Sequence, residues 1–260
     1  MNFALSTIMF PPPELAKSLD YARELGIELE IFPMWHDPAF GEFITTHLSD
    51  LRGIASSFHE QYHFCDHSFA RGTKEHKDAF NYCRKTFEAA VEVGAESIVF
   101  HHNNRLVSAS EKADMIKHST ESLHEMNALS AEYGIPYVVE NAGVIPVGNL
   151  LFDEDEFIAL FDTIPNNCLL DIGHAHCNDW DLSRVIWALK DKIVAYHVHD
   201  NDRTNDGHKM LGYGTLDTEQ FMQLYNAHTP NAQIILEYSE GAEITPSDLV
   251  KEMALLRSYS

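Results

Sequence analysis

Short apolar runs alternate with longer amphipathic stretches along the whole chain. The runs Phe3–Met9, Ile27–Phe32, Ile54–Phe58, Ser97–Phe100, Tyr137–Glu140, Cys168–Ile172, Ile193–Val198 and Gln233–Tyr238 are mostly rich in Ile, Val, Leu and Phe. They show little alternation between apolar and polar positions, as expected of parallel strands buried on both faces. Eight strands are predicted. Between them apolar residues recur at helical spacing. Pro12 and Pro13 suit a first helical turn, and Leu15, Leu19, Ala22 and Leu25 follow before Gly26. Phe80, Cys83, Phe87 and Val91 repeat the pattern before Gly94, and Met115, Leu123, Met126, Leu129 and Tyr133 before Gly134. Leu249, Met253 and Leu256 predict a last helix. Fainter ones are placed near Gly41–Asp50 and Asp153–Phe161.

Strict strand-then-helix alternation gives either a closed barrel or an open doubly wound sheet. Eight units in 260 residues favour an α/β protein with a single (β/α)₈ TIM barrel over residues 1–260, since such barrels take ~250 residues. A nucleotide-binding open sheet wants a glycine-rich turn after its first strand. Met9-Phe10-Pro11-Pro12-Pro13 is the opposite of that.

Composition narrows the partners. There are 18 Lys and Arg against 40 Asp and Glu, a net charge of −22, which argues against nucleic acid, whose affinity rests largely on neutralised phosphates. No apolar run is long enough to span a membrane. The N-terminus reads as a first strand, with no basic region before its apolar stretch. The four cysteines, Cys65, Cys83, Cys168 and Cys177, form no CxxC pair. Reduced thiols in a cytoplasmic protein are therefore expected, and zinc held by thiolates is not.

Candidate chemistry sits where the predicted strands end, which is where barrels of this kind carry their active sites. These ends read Phe58-His59-Glu60, Phe100-His101-His102-Asn103, Val139-Glu140-Asn141, Leu170-Asp171-Ile172-Gly173-His174, Tyr196-His197-Val198-His199-Asp200 and Leu236-Glu237-Tyr238; a loop adds Asp206-Gly207-His208. A lone His or Glu after a strand is usually a cap or surface residue. Six strand ends of this kind converging on one mouth are different. Carboxylates gathered there repel one another unless cations neutralise them. Imidazole with carboxylate is the ligand set of zinc, manganese, iron or cobalt.

These motifs, with Leu211-Gly212-Tyr213-Gly214, resemble the xylose-isomerase-like barrel superfamily, which includes the sugar isomerases and epimerases and endonuclease IV. The resemblance covers nearly the whole chain in strand order. Its isomerase branch holds one metal by Glu, Asp, His and Glu, which Glu140, Asp171, His197 and Glu237 match. There the two glutamates, Glu140 and Glu237 here, move protons at the substrate carbon through a metal-stabilised enediolate. His174 and Arg203 match further substrate-contacting positions. The endonuclease IV branch holds three zinc ions with nine ligands, and His59, His101, Glu140, Asp171, His174, His197, Asp206, His208 and Glu237 match all nine. Tyr213 departs from the usual Gly-Glu-Gly. In His101-His102 the strand phase favours His101 as the ligand.

The resemblance thus implies one to three divalent ions and two alternative chemistries. One is a metal-dependent isomerase or epimerase of a small sugar or polyol; the other is a hydrolase of phosphate esters like endonuclease IV. The acidic charge favours the first. Phe32, Trp35 and Trp180 lie near strand ends, where they could stack on a sugar ring or simply pack. Relatives are often dimers or tetramers, so a homo-oligomer is compatible with the resemblance, although no segment marks an interface.

Overall fold

The computed structural model describes residues 1–259. Eight parallel strands close into a barrel in sequence order: β1 Phe3–Ser6, β2 Glu28–Ile31, β3 Ala55–His59, β4 Ser97–Phe100, β5 Tyr137–Glu140, β6 Asn167–Asp171, β7 Ile193–Val198 and β8 Gln233–Leu236. β1 closes the ring by pairing with β8, Ala4 opposite Ile235. Around it run α1 Ala16–Leu25, α2 Pro38–Leu51, α3 Lys74–Val93, α4 Lys112–Tyr133, α5 Glu154–Leu160, α6 Ile172–Cys177, α7 Leu182–Leu189, α8 Thr218–His228 and α9 Pro246–Ser258. This is the (β/α)₈ barrel that the alternation predicts.

Strand geometry explains where the site lies. Side chains point alternately to the two faces of a strand. Ala4, Val99, Val138, Leu169, Ala195 and Ile235 point inward and form one small buried cluster inside the barrel. Their neighbours, including Leu5, Ile98, Phe100, Val139, Leu170 and Leu236, belong to a larger cluster packed against the helices. Two residues beyond each inward apolar residue, the same face presents Ser6, His101, Glu140, Asp171, His197 and Glu237. A strand period of two thus stacks a polar layer on an apolar floor.

The predicted glycine stops hold. Gly26, Gly94 and Gly134 all sit in the left-handed region at helix C-termini, where a Cβ would be strained. Other boundaries shift. The first strand stops at Ser6, and Thr7–Met9 turns as a 3-10 helix. Thr7 Oγ1 there accepts the Phe32 amide at 2.8 Å, tying the ends of β1 and β2 together. Pro12 also lies in a separate 3-10 turn, so α1 starts only at Ala16. Val91 is 47% exposed and lies off the buried stripe of α3. The helices α6, α7 and α8 are not among those predicted; in α7 the buried Leu182, Val185, Ile186 and Leu189 do recur at helical spacing, whereas α6 is six residues long and wholly buried, so it has no amphipathic signature.

Candidate active site and metal centre

Glu140, at the end of β5, is the hub. Its Oε2 lies 2.9 Å from His101 Nε2 and 3.3 Å from His59 Nε2. Its Oε1 faces the other way, 3.4 Å from both His174 Nδ1 and His197 Nδ1. One carboxylate therefore links the β3–β4 histidines to those of β6 and β7.

His197 is fixed from behind. Its Nε2 lies 2.8 Å from Glu30 Oε1, and both side chains are fully buried. With Nε2–H donated to Glu30, Nδ1 is turned into the site, where the neutral ring would offer a cation its lone pair. Nδ1 then faces Glu140 Oε1 at 3.4 Å, Glu237 Oε2 at 3.5 Å and Asp171 Oδ2 at 3.7 Å, with no hydrogen-bond partner. Asp171 divides its work. Oδ1 accepts the His174 amide at 2.6 Å, capping α6, while Oδ2 looks into the site. Asn141 exchanges two hydrogen bonds with the Asp171 backbone and holds the β5 and β6 ends in register.

The third group comes from α6 and the loop after β7. Asp206 Oδ2 lies 3.0 Å from both His174 Nε2 and His208 Nε2. His208 Nδ1 faces Glu237 Oε2 at 3.6 Å. His199, part of the β7-end motif but given no role by sequence alone, sits behind them. Its Nε2 is 3.1 Å from Asp171 Oδ2, and its ring stacks on His208 with centroids 3.9 Å apart. Gly173 makes room for it: a Cβ there would lie 2.0 Å from His199 Cε1.

Electrostatics follow from these contacts. Burial disfavours charge on His59, yet the Glu140 carboxylate holds it up at about 9. Asp206 overcomes burial in the same way for His208, at about 9. His174 is raised well above the usual imidazole range against burial, chiefly by Asp171 and Asp206, and His197 by Glu237 and Glu30. In return, and again against burial, His174 and His199 bring Asp171 to about 2, and His101 and His197 hold Glu140 well below its usual range. Without a cation, the surrounding carboxylates favour the protonated forms of His59, His174, His197 and His208.

The donor set fits a divalent metal. Oxygen and nitrogen ligands ~2.0–2.2 Å from one ion stand roughly 3.0–3.5 Å apart, close to the spacings around His197 Nδ1. Buried polar atoms without a hydrogen-bond partner cluster here as well: His197 Nδ1, His208 Nδ1 and Asp206 Oδ1. Buried atoms left this way are costly unless something pairs with them. The potential ligands fall into overlapping groups: His59, His101 and Glu140; Glu140, Asp171 and His174; Glu30, His197 and Glu237; and His174, His199, Asp206 and His208. Glu140, Asp171 and Glu237 also surround His197 Nδ1.

All nine residues matched to the metal positions thus come together, as does the proposed proton-transfer pair. Arg203 does not. Its backbone is left-handed (φ 66°), its amide donates to Asn201 Oδ1, and its half-exposed guanidinium pairs with Asp179 at the surface. The guanidinium thus lies outside the lining of the cavity described below. His102 points away from the site, with Nδ1 3.2 Å from Ser119 Oγ, and burial pushes its pKa down to about 3. Of the three aromatics, only Phe32 lines the cavity. Trp35 donates to Thr86 Oγ1, and Trp180 packs on Phe157. Tyr213 is 75% exposed at the tip of a turn whose Gly212 and Gly214 amides bind Asp200 Oδ2. Glu30 escapes the sequence reading, although it has the inward phase of its strand.

Above the polar layer opens a cavity of about 210 Å³. Its walls include Ile8, Phe32, Met34, Tyr62 and Val144, and its base His59, Glu140, His174 and Glu237. Among the described residues, no lysine or arginine lines it.

The profile of the xylose isomerase-like TIM barrel family matches residues 19–259. An uncharacterized protein of Methanocaldococcus jannaschii is 27% identical over 146 residues, 56% of this chain and 56% of that protein. The chain thus spans just over half the length of that curated relative. A D-tagatose 3-epimerase-like protein superposes with a TM-score of 0.82 at 19% identity, covering 100% of this chain and 97% of its own. Endonuclease IV from Thermus thermophilus superposes with a TM-score of 0.66 at 17% identity, covering 100% and 98%. At such identities the likeness is one of fold, and function must be argued from the site.

Proposed function

The chain belongs to the xylose isomerase-like TIM barrel family, and from that premise we propose that it is a divalent-metal-dependent isomerase or epimerase of a small sugar or polyol. The observation that carries this reading is the pairing of Glu140 and Glu237 on either side of His197 Nδ1, at the base of a small cavity without cationic side chains. Two carboxylates so placed can take a proton from a substrate carbon and return one to it. A divalent ion held by Glu140, Asp171, His197 and Glu237 would polarise the oxygens flanking that carbon. His174 stands beside Glu140 and can donate a hydrogen bond to the oxygen that gains charge. At about 210 Å³ the cavity is smaller than the ~300–1,000 Å³ of drug-sized ligand sites and suits a small polyol.

The test is incubation of the metal-loaded protein with a panel of ketoses in deuterated water. Incorporation of carbon-bound deuterium into one of them is expected. No incorporation across a broad panel, together with cleavage of an abasic oligonucleotide, would overturn the reading.

One observation favours a second reading, a hydrolase of phosphate esters. His59 and His101 face Glu140 Oε2, and His174, Asp206 and His208 form their own group. A single-metal isomerase has no need of either set as ligands. Three ions per chain at the barrel mouth in protein purified without chelator would favour the hydrolase, and one tightly bound ion there the isomerase.

A further inference from the structure

A second group of ligand-type side chains lies outside the barrel mouth, between the end of β3, the following loop and α3. Glu60, Cys65, His67 and Cys83 place one ligand atom each within 4.8 Å of the others, and all four are buried. The contacts are His67 Nε2 to Glu60 Oε2 at 3.0 Å, Cys83 Sγ to His67 Nε2 at 3.7 Å, Cys65 Sγ to His67 Nε2 at 3.8 Å and Cys83 Sγ to Glu60 Oε2 at 4.0 Å. A tetrahedral zinc ion with bonds of ~2.3 Å to sulfur and ~2.0–2.2 Å to nitrogen and oxygen has donor edges of roughly 3.4–3.8 Å. The observed spacings bracket that range.

From this we propose a structural zinc site with ligands Glu60 Oε2, Cys65 Sγ, His67 Nε2 and Cys83 Sγ. The absence of a CxxC pair argues against such a site in the sequence. The fold supplies what the spacing lacks, because α3 carries Cys83 to the loop that holds Cys65 and His67. Four protein ligands close the coordination shell, as structural zinc requires. The surrounding contacts are those that orient metal ligands. Glu60 Oε1 accepts the His101 amide at 3.0 Å, and the Tyr137 hydroxyl lies 3.1 Å from Glu60 Oε2 and 3.4 Å from Cys83 Sγ.

The position gives the ion a task. Glu60 follows His59 directly, and its carbonyl lies 2.7 Å from His59 Nδ1. Through Glu60 the zinc would hold the His59 ring and the His101 backbone amide, and so the two histidines that face Glu140 Oε2. The inference stands apart from the reaction at the barrel mouth and requires only that zinc bind here.

Cobalt(II) is the probe. In wild-type protein reconstituted with cobalt, a thiolate-to-cobalt charge-transfer band and strong visible bands of tetrahedral cobalt are expected. The same bands should persist in the double variant Asp171→Asn, Glu237→Gln, which weakens the barrel-mouth centre alone. The double variant Cys65→Ser, Cys83→Ser should lose them and carry one metal equivalent fewer by elemental analysis. A folded, cobalt-loaded wild type without a thiolate band overturns the proposal, whether or not the serine variant folds. So does a folded serine variant with unchanged metal content.

Discussion

Glu30 Oε1 and His197 Nε2 lie 2.8 Å apart in a fully buried pair that joins β2 to β7 across the barrel. Ser57 Oγ also donates to Glu30, at 3.2 Å. The pair orients the imidazole and keeps Nδ1 turned towards Glu140, Asp171 and Glu237. Glu30 is thus a positioning residue for the proposed metal centre. Removing such a partner typically costs ~10–100-fold in metal affinity. Glu30→Ala is expected to weaken binding by about that much in a competition titration with a chelator, and Glu30→Gln by less. Equal affinity in wild type and Glu30→Ala would sink this assignment.

The raised imidazoles give the metal-free protein a distinctive response to pH. In the fold His59 and His208 keep their protons up to about 9, whereas the ordinary value is 6.5. The folded state then binds more protons than the unfolded one across that window. This stabilisation is complete below 6.5 and is lost as pH rises through about 9. Metal ligation needs neutral imidazoles and releases those protons, so in the loaded protein neither the folded nor the unfolded rings hold them above 6.5 and the loss disappears. Thermal melts at successive pH values across this window should therefore slope downward without metal and lie flat with it. Parallel slopes would refute the expected competition between ion and protons.

Gly173→Ala tests the packing behind the site. Its Cβ would meet the His199 ring at 2.0 Å, in a region with no space to yield. Overpacking of this kind costs ~1–3 kcal/mol, and displaced stacking on His208 should weaken metal binding too. Gly41 lies inside α2, where an added Cβ would have nothing within 4 Å. Gly41→Ala should stabilise by ~0.5–1 kcal/mol. Denaturant unfolding of both variants checks the contrast in sign.

Arg203→Ala separates family pattern from observed geometry. The guanidinium is half-exposed, pairs with the exposed Asp179 and lies outside the cavity wall. The substitution should leave turnover of any accepted ketose unchanged and alter stability by no more than ~0.5 kcal/mol. A large loss of kcat would mean that the loop reorganises to bring Arg203 to the substrate.

Asp206→Ala combined with His208→Ala distinguishes the two chemistries. A one-metal isomerase should keep its bound ion and its deuterium exchange. A three-metal hydrolase should lose one ion per chain and its activity. Elemental analysis of the folded variant reads the difference directly.

Much of this was legible in the chain itself. Val99 and His101, Val138 and Glu140, Leu169 and Asp171, and Ile235 and Glu237 are each two residues apart, so strand phase alone places the second member of each pair above an inward apolar residue. Glu30 obeys the same rule within an apolar run, and its phase could have singled it out. Arg203 could not be placed that way, because a left-handed turn decides where its side chain goes. The meeting of Cys83 with Cys65 and His67 was equally hidden. It depends on how α3 docks against a loop, and no local spacing encodes that. Thr7–Met9 misled for a simpler reason: those residues are largely buried, as strand residues would be, but in a tight turn.

The apolar cluster of Ala4, Val99, Val138, Leu169, Ala195 and Ile235 has a consequence for traffic. It fills the barrel beneath the carboxylates, so the cavity cannot be entered from below. Whatever enters must leave by the same route, and no successor can follow until it has gone. In the proposed reaction, product release and substrate entry are then sequential. A molecule that merely seals the rim would halt turnover without touching a single ligand at the bottom.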